Sequence, residues 1–153
     1  EGVWQHAGFL DAMTIYDLLC CAKDGASLCG RYSQAENLPG TIHGANPAKG
    51  AFDDFAADCD RKTEALRAAC LALGGREIPM GELSFEIPLF DFLPVMVQFW
   101  SSDEEFPPVF KLMWDENVLM FLRFETVCYA ARFLVMRLQA HMGLWVENTE
   151  GHM

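Results

Sequence analysis

Apolar residues recur every three or four positions in two stretches of the first half of the chain, and this spacing predicts two helices. Asp11 is placed to cap the first helix, expected over Ala12–Lys23, and Gly25 is placed to end it. The second is expected over roughly Ala51–Leu73, where an apolar stripe lies opposite an acidic face and Gly74-Gly75 follows as a stop. The apolar positions of the first helix are Ile15, Leu18, Leu19 and Ala22.

After the second helix the apolar period changes from about four to two, which predicts strands. Leu83–Leu89 alternates apolar and polar residues, so we expect a strand with one polar face at or near a sheet edge. Leu93–Trp100 is apolar on both faces and is expected at the centre of the sheet, and Pro108–Trp114 predicts a third strand. Their short connections favour an antiparallel meander. Gly30–Lys49 is predicted to be a loop, with Arg31–Gln34 as its only short strand.

The last predicted helix, Phe124–Met142, carries two apolar stripes instead of one. A helix with two such stripes must be covered on most sides, either by its own sheet and a neighbouring helix or by a second copy of the chain. The first stripe is Val127, Ala131, Leu134, Val135 and Leu138, and the second is Tyr129, Phe133, Met136 and Ala140.

The elements together predict an α+β fold, in which an antiparallel sheet of three to four strands packs against two long helices plus a short N-terminal helix. The length of 153 residues and the 52% share of apolar residues fit a single domain over residues 1–153. A chain of this length buries roughly 70% of the surface of its unfolded form. Neither a metal nor a disulfide is therefore needed to explain folding.

The charge balance restricts the partners that the protein can bind. Twenty-two acidic residues outnumber 11 basic ones, which gives a formal net charge of −11. Nucleic acids and anionic membrane surfaces both require a cationic footprint, so we expect neither as a partner. The longest apolar runs are also far shorter than the roughly 17–25 residues that cross a bilayer.

The six cysteines and four histidines lack the spacing of a metal site. The sequence contains no Cys-x-x-Cys pair and no His-x-x-x-His or His-Glu-x-x-His spacing. Cys59, Cys70 and Cys128 lie on apolar helix faces, where a free cysteine behaves as a small hydrophobic residue. We therefore expect reduced cysteines in a cytoplasmic protein, with no metal and no cofactor.

The segment Trp100–Pro108 contains the strongest candidate site, and we call its part from Ser101 to Pro108 the acid loop. Its three consecutive acids, Asp103, Glu104 and Glu105, lie between Trp100 and Phe106 at one end of the predicted sheet. Carboxylates this close repel one another, which raises at least one pKa and suits cation binding, helix capping or acid–base work. Alternatively, the loop is a solvated hairpin tip whose charges discourage edge pairing.

Three functional hypotheses follow from these features. In the first, the protein is a non-catalytic binding or accessory domain that contacts a protein partner, or a second copy of itself, through its last helix. In the second, it is an enzyme whose three loop acids act as acid and base beside a pocket shaped by Trp100, Trp114 or His43. In the third, the same pocket binds a small ligand such as a tetrapyrrole or corrinoid.

A series of short motifs runs in order from Met13 to Leu138. The motifs are Tyr16-Asp17-Leu18-Leu19, Leu38-Pro39-Gly40, a helix opening at Phe52, Leu73-Gly74-Gly75, Phe85, Pro94 before an apolar strand, Trp100, Asp103-Glu104-Glu105-Phe106-Pro107 and Leu112-x-Trp114-Asp115. In this order they resemble the uncharacterised family known as domain of unknown function 3786. The element of acids followed by Phe and Pro is the most specific of them.

This resemblance implies a cellular setting but no activity. It implies a cytoplasmic protein of anaerobic bacteria or archaea, and longer relatives carry a strand-rich stretch ahead of the first helix that this chain lacks. Some relatives accompany a four-cysteine iron–sulfur segment like that of corrinoid iron–sulfur proteins. This chain has no such four-cysteine run. A link to corrinoid chemistry is therefore implied by association alone.

Overall fold

The computed structural model describes residues 6–41 and 52–144, and within these ranges the chain has an α+β fold with four helices and one five-stranded sheet. The fold class predicted from the sequence is therefore confirmed, although the sheet has more strands than the three to four expected. The elements are α1 (Phe9–Cys21), β1 (Tyr32–Ser33), α2 (Asp53–Arg61), α3 (Thr63–Ala72), β2 (Arg76–Glu77), β3 (Leu83–Phe90), β4 (Leu93–Trp100), β5 (Val109–Asp115) and α4 (Phe124–His141).

The sheet is antiparallel, with the strand order β1-β5-β4-β3-β2. Its three long strands form the predicted meander, and each edge carries a strand of only two residues. The edge strand β1 lies within the stretch Arg31–Gln34 that the sequence singled out. The other edge strand, β2, was missed, because two residues are too few to show a period of two.

Strand β4 lies at the centre of the sheet and spans the predicted residues. Its inward side chains Val95, Val97 and Phe99 are fully buried, and Met96 and Gln98 on its other face are also buried. The helices cover the inward face, as shown by Phe55 of α2, whose ring centroid lies 4.8 Å from that of Phe110 on β5. The apolar character of both faces of β4 therefore predicted its position correctly.

The second predicted helix is two helices, α2 and α3, separated at Lys62. Lys62 has a non-helical backbone (φ −140°, ψ 46°), and the Thr63 hydroxyl donates to the Cys59 carbonyl oxygen across the break (3.3 Å). The two halves have different neighbours, since α2 packs on β5 whereas α3 packs on α4 and β3. The apolar stripe predicted from the sequence is buried in both halves. The break lets one continuous stripe meet two differently placed surfaces.

The pair Gly74-Gly75 ends α3 as predicted. Gly74 adopts a positive φ of 78°, and the Gly75 amide donates to the Cys70 carbonyl oxygen (2.9 Å). A Cβ atom on Gly75 would lie 2.6 Å from that same oxygen. The helix end therefore requires glycine at position 75 for lack of space.

Helix α4 has the predicted extent to within one residue, and its two stripes have different environments. The first stripe is buried and belongs to the same core cluster as the inward side chains of the sheet. In the second stripe, Tyr129, Phe133 and Met136 are half-buried and Ala140 is exposed. Helices α1 and α3 both pack against α4, so most of its coverage comes from its own chain. Among the described residues, no helix has the length and apolarity needed to cross a membrane.

Candidate functional site

The three acids of the acid loop are exposed, and Asp103 organises the turn. One Asp103 carboxylate oxygen accepts hydrogen bonds from the backbone amides of Glu105 (2.8 Å) and Phe106 (2.7 Å). The Asp103 amide in turn donates to the Phe106 carbonyl oxygen (3.0 Å). The loop is thus a tight turn closed by its own first acid, and it holds Glu104 and Glu105 outward.

Two acids from distant parts of the chain fasten this loop. Asp60, near the end of α2, accepts hydrogen bonds from the Ser102 amide (2.8 Å) and the Ser102 hydroxyl (2.7 Å). Glu82 accepts hydrogen bonds from the Ser101 amide (2.8 Å) and from the Ser101 hydroxyl. The bonds from Ser102 hold the pKa of Asp60 below its usual value. Sequence reasoning missed both anchors, because separations of 42 and 19 residues form no local pattern.

Trp100 and Trp114, two of the residues expected to shape a pocket beside the three acids, lie on opposite faces of the sheet. Trp100 lies half-buried on the outer face of the sheet, with the Lys111 Nζ 5.3 Å from the centre of its ring. Trp114 is buried on the inward face and pairs with Val95, near the opposite end of β4. His43 lies outside the described residues. Among the described candidates, Trp100 therefore adjoins the acid loop, whereas Trp114 lies apart from it.

A shallow groove of about 260 Å³ lies near the other end of the sheet, between the end of α3, β3 and α4. Its walls include Leu73, Pro88 and Phe133, and Arg137 is its one charged wall residue. The Arg137 guanidinium carbon lies 5.7 Å from the centre of the Phe133 ring. The volume is below the roughly 300–1,000 Å³ that is typical of small-molecule pockets.

Helix α1 turns Thr14 and Asp17 toward the protein. Asp17 is completely buried, and its carboxylate accepts hydrogen bonds from the Arg123 amide (3.1 Å) and the Arg123 Nε (3.0 Å). The Arg123 Nη2 and the Thr126 hydroxyl also donate to it. These bonds, above all the one from the Arg123 side chain, hold the pKa of Asp17 far below its usual value despite burial. Asp17 thereby caps the start of α4 from outside that helix.

The opposite side of α1 is apolar and exposed. We call this surface the outer α1 face; its large residues are Phe9 (65% exposed), Ile15 (47%), Tyr16 (55%) and Leu19 (78%), with Ala12 between them. The rings of Phe9 and of Tyr129 on α4 also form a T-shaped contact, at a centroid distance of 5.4 Å. The outer α1 face therefore continues onto the half-buried stripe of α4.

Two predictions for the first helix were wrong. The helix begins at Phe9, three residues earlier than expected, because Gly8 is the cap and Asp11 lies one turn inside, where it accepts from the Gly8 amide (3.1 Å). Of the apolar positions that were expected to form one packing stripe, only Leu18 packs against the core. Ile15 and Leu19 point outward, because the contacts of Asp17 fix the rotation of the helix.

All six cysteines lie in the described residues, and all are free thiols. Burial raises the pKa of Cys59 and of Cys70 to about 12, so both stay protonated and behave as core residues. On α1, Cys20 is exposed and Cys21 donates from its Sγ to Asp17 (3.6 Å). Within residues 6–41 and 52–144, no group of three or more His, Cys, Asp or Glu side chains is arranged to hold a metal ion.

Comparison with known proteins gives a family and no named relative. No curated protein and no solved structure matches this chain. One family model matches it over residues 4–137, which is most of its length. The chain belongs to that family, the domain of unknown function DUF3786.

Proposed function

We propose that this domain is a non-catalytic binding or accessory module that contacts a protein partner through the outer α1 face and the adjoining side of α4. The observation that carries the proposal is the rotation of α1, which buries the charged Asp17 and exposes Leu19 at 78%. An ordinary surface helix has the reverse arrangement, with its apolar stripe against the core and its polar residues in water. The apolar side of α1 therefore has the character of a surface that another molecule covers.

The charge distribution supports a protein partner over a polyelectrolyte or a metal ion. Residues 6–24 and 123–144, which contain α1 and α4, carry four acidic and four basic residues, whereas the whole chain has a net charge of −11. The helix pair thus has no net charge on an otherwise acidic protein. The outer α1 face itself contains no charged residue and two aromatic ones, and charge depletion with aromatic enrichment is the composition found at the centre of protein interfaces. The six free thiols further support a reducing, cytoplasmic setting.

The two alternatives receive less support from the described residues. For an acid–base enzyme, the three loop acids lie exposed and apart from Trp114. For a tetrapyrrole or corrinoid, the groove near Phe133 is too small at about 260 Å³. We therefore place the function on the outer α1 face, and not on the acid loop.

Site-specific photocrosslinking tests this proposal. A photoreactive phenylalanine analogue at position 19 is expected to give a discrete protein adduct when the chain is expressed in its native host. The matched control is the same analogue at Leu71, which is 54% exposed on α3 and lies outside the outer α1 face. Adducts that are identified by mass spectrometry and appear at position 19 but not at position 71 support the proposal. Absence of an adduct at position 19, or the same adducts at both positions, contradicts it.

A further inference from the structure

The outer α1 face has the residue spacing of a helix–helix seam. Phe9, Ala12, Tyr16 and Leu19 follow one another at intervals of three, four and three residues, which is the spacing of the two core positions in a coiled-coil heptad. The positions that flank this seam within α1 are Met13, Ile15 and Cys20, and none of them is charged. The polar residues Asp11, Thr14 and Asp17 lie outside the seam.

The geometry points to a second copy of this chain as the partner, with the two α1 helices packed antiparallel about a two-fold axis through their outer faces. This inference rests on the proposed function, because it names the partner that covers the same surface. A two-fold axis makes the contact isologous, so that one patch on each copy completes the interface and leaves no seam open for further copies.

Side-chain volumes favour the antiparallel arrangement over the parallel one. In an antiparallel pair, the first core position of one heptad faces the second core position of the other helix. Phe9 then faces the partner's Leu19, and Ala12 faces the partner's Tyr16, so each layer combines volumes that fill the space between the helices. A parallel pair would set Tyr16 against the partner's Tyr16 and Ala12 against the partner's Ala12. That arrangement leaves one overfilled layer and one cavity.

The exposed area matches the needs of a small dimer. If a fully exposed large side chain contributes about 200 Å², the four large residues of the outer α1 face expose roughly 500 Å² of apolar surface. A standard interface buries about 800 Å² per partner, and roughly 65% of it is apolar in homodimers. The outer α1 face can therefore supply nearly all of the apolar part, with α4 residues such as Tyr129 at its border.

Electrostatics permit this contact despite the large negative charge of each copy. Only four of the 22 acidic residues lie in residues 6–24 and 123–144, and four basic residues balance them. The acid loop and its anchors Asp60 and Glu82 belong to the sheet and to α2. In a dimer that forms through α1, two identical surfaces without net charge therefore face each other, which avoids electrostatic repulsion at the contact.

The test measures association of the purified chain by sedimentation velocity between about 10 μM and about 1 mM, the weak end of specific association. We expect a reversible monomer–dimer equilibrium for the wild type and for the control Leu71→Glu. For Leu19→Glu we expect at least tenfold weaker dimerisation, because two carboxylates enter the seam of each dimer. Both variants add one carboxylate at an exposed leucine, so a general effect of charge would weaken both equally.

Other outcomes overturn the inference in distinguishable ways. The wild type could stay monomeric up to about 1 mM while position 19 gives a specific crosslink to another protein. That result overturns the inference that a second copy is the partner, but it leaves the proposed function intact. A dimer that Leu19→Glu and Leu71→Glu weaken equally also overturns it. A monomer in which Leu19→Glu lowers the urea midpoint as much as a core substitution shows that the chain covers this face itself, and both proposals then fail.

Discussion

Asp17 and Arg123 form an ion pair in which the Asp17 side chain is fully buried and the Arg123 side chain is 56% exposed. The Asp17 carboxylate also accepts hydrogen bonds from the Arg123 amide at the start of α4 and from the Thr126 hydroxyl one turn further along. One side chain therefore joins α1 to α4, caps α4 and sets the rotation of α1. This rotation is what leaves Leu19 in solvent.

Replacing Asp17 by Asn is expected to destabilise the protein by about 2 kcal/mol, because the hydrogen bonds to Asp17 are assisted by its charge. Water can solvate the partly exposed Arg123 side chain when the charge of Asp17 is lost. The loss of unfolding free energy therefore stays below that of leaving a fully buried ion without a partner. Urea unfolding followed by circular dichroism measures the change. The control Asp24→Asn removes an exposed carboxylate just after α1, and it should change the free energy of unfolding by about 0.5 kcal/mol or less. Equal effects of the two variants would contradict the role given to Asp17.

The same pair predicts how stability depends on pH. The folded protein holds the pKa of Asp17 well below that of the unfolded chain, so the unfolded state binds more protons once the pH falls below about 4. The stability contributed by Asp17 is therefore fully present above this pH and is lost as the pH falls further. The difference in unfolding free energy between wild type and Asp17→Asn should shrink as the pH is lowered from 6 to 3. A difference that stays constant over this range would contradict the assignment.

Replacing Gly75 by Ala is expected to destabilise the protein by about 1–3 kcal/mol through crowding. The new Cβ would lie 2.6 Å from the Cys70 carbonyl oxygen and 3.1 Å from the Ile87 side chain, and backbone atoms cannot step aside as a flexible side chain can. Gly8→Ala is the control, because its Cβ would have 3.6 Å to the nearest atom, the Asp11 carboxylate, and the change costs only the N-cap preference for glycine over alanine, about 0.5 kcal/mol. Thermal unfolding should show a clear loss for the first variant and a small change for the second. A tolerated Gly75→Ala would contradict the close packing of this helix end.

The thiols are expected to differ strongly in their reaction with iodoacetamide. Cys20 is exposed and should be labelled first in the native protein. Cys59 and Cys70 are buried with a pKa raised to about 12, so their thiolate fraction at neutral pH is minute and they should react only on unfolding. Peptide mass spectrometry over a time course gives the order. Labelling of Cys59 as fast as that of Cys20 in native buffer would contradict the packing of α2.

Where a pattern depended on neighbouring residues alone, the sequence predicted the fold well. The two apolar faces of Leu93–Trp100 placed β4 at the centre, and the short connections between the strands predicted an antiparallel meander. The acid loop was found for the same reason, as a run of adjacent residues. Its anchors Asp60 and Glu82 were not, because only the folded sheet brings them to Ser101 and Ser102.

The sequence by itself determined the period of each segment, its approximate ends and the α+β class, since these follow from the repeat lengths of helix and strand. Tertiary structure alone decided which side of α1 faces inward, where the second helix breaks and whether Trp100 and Trp114 share a face. The physical reason is the range of the interactions. Asp17 binds Arg123 at a separation of 106 residues, and the hydrogen bonds to that one buried carboxylate determine which side of α1 faces the solvent.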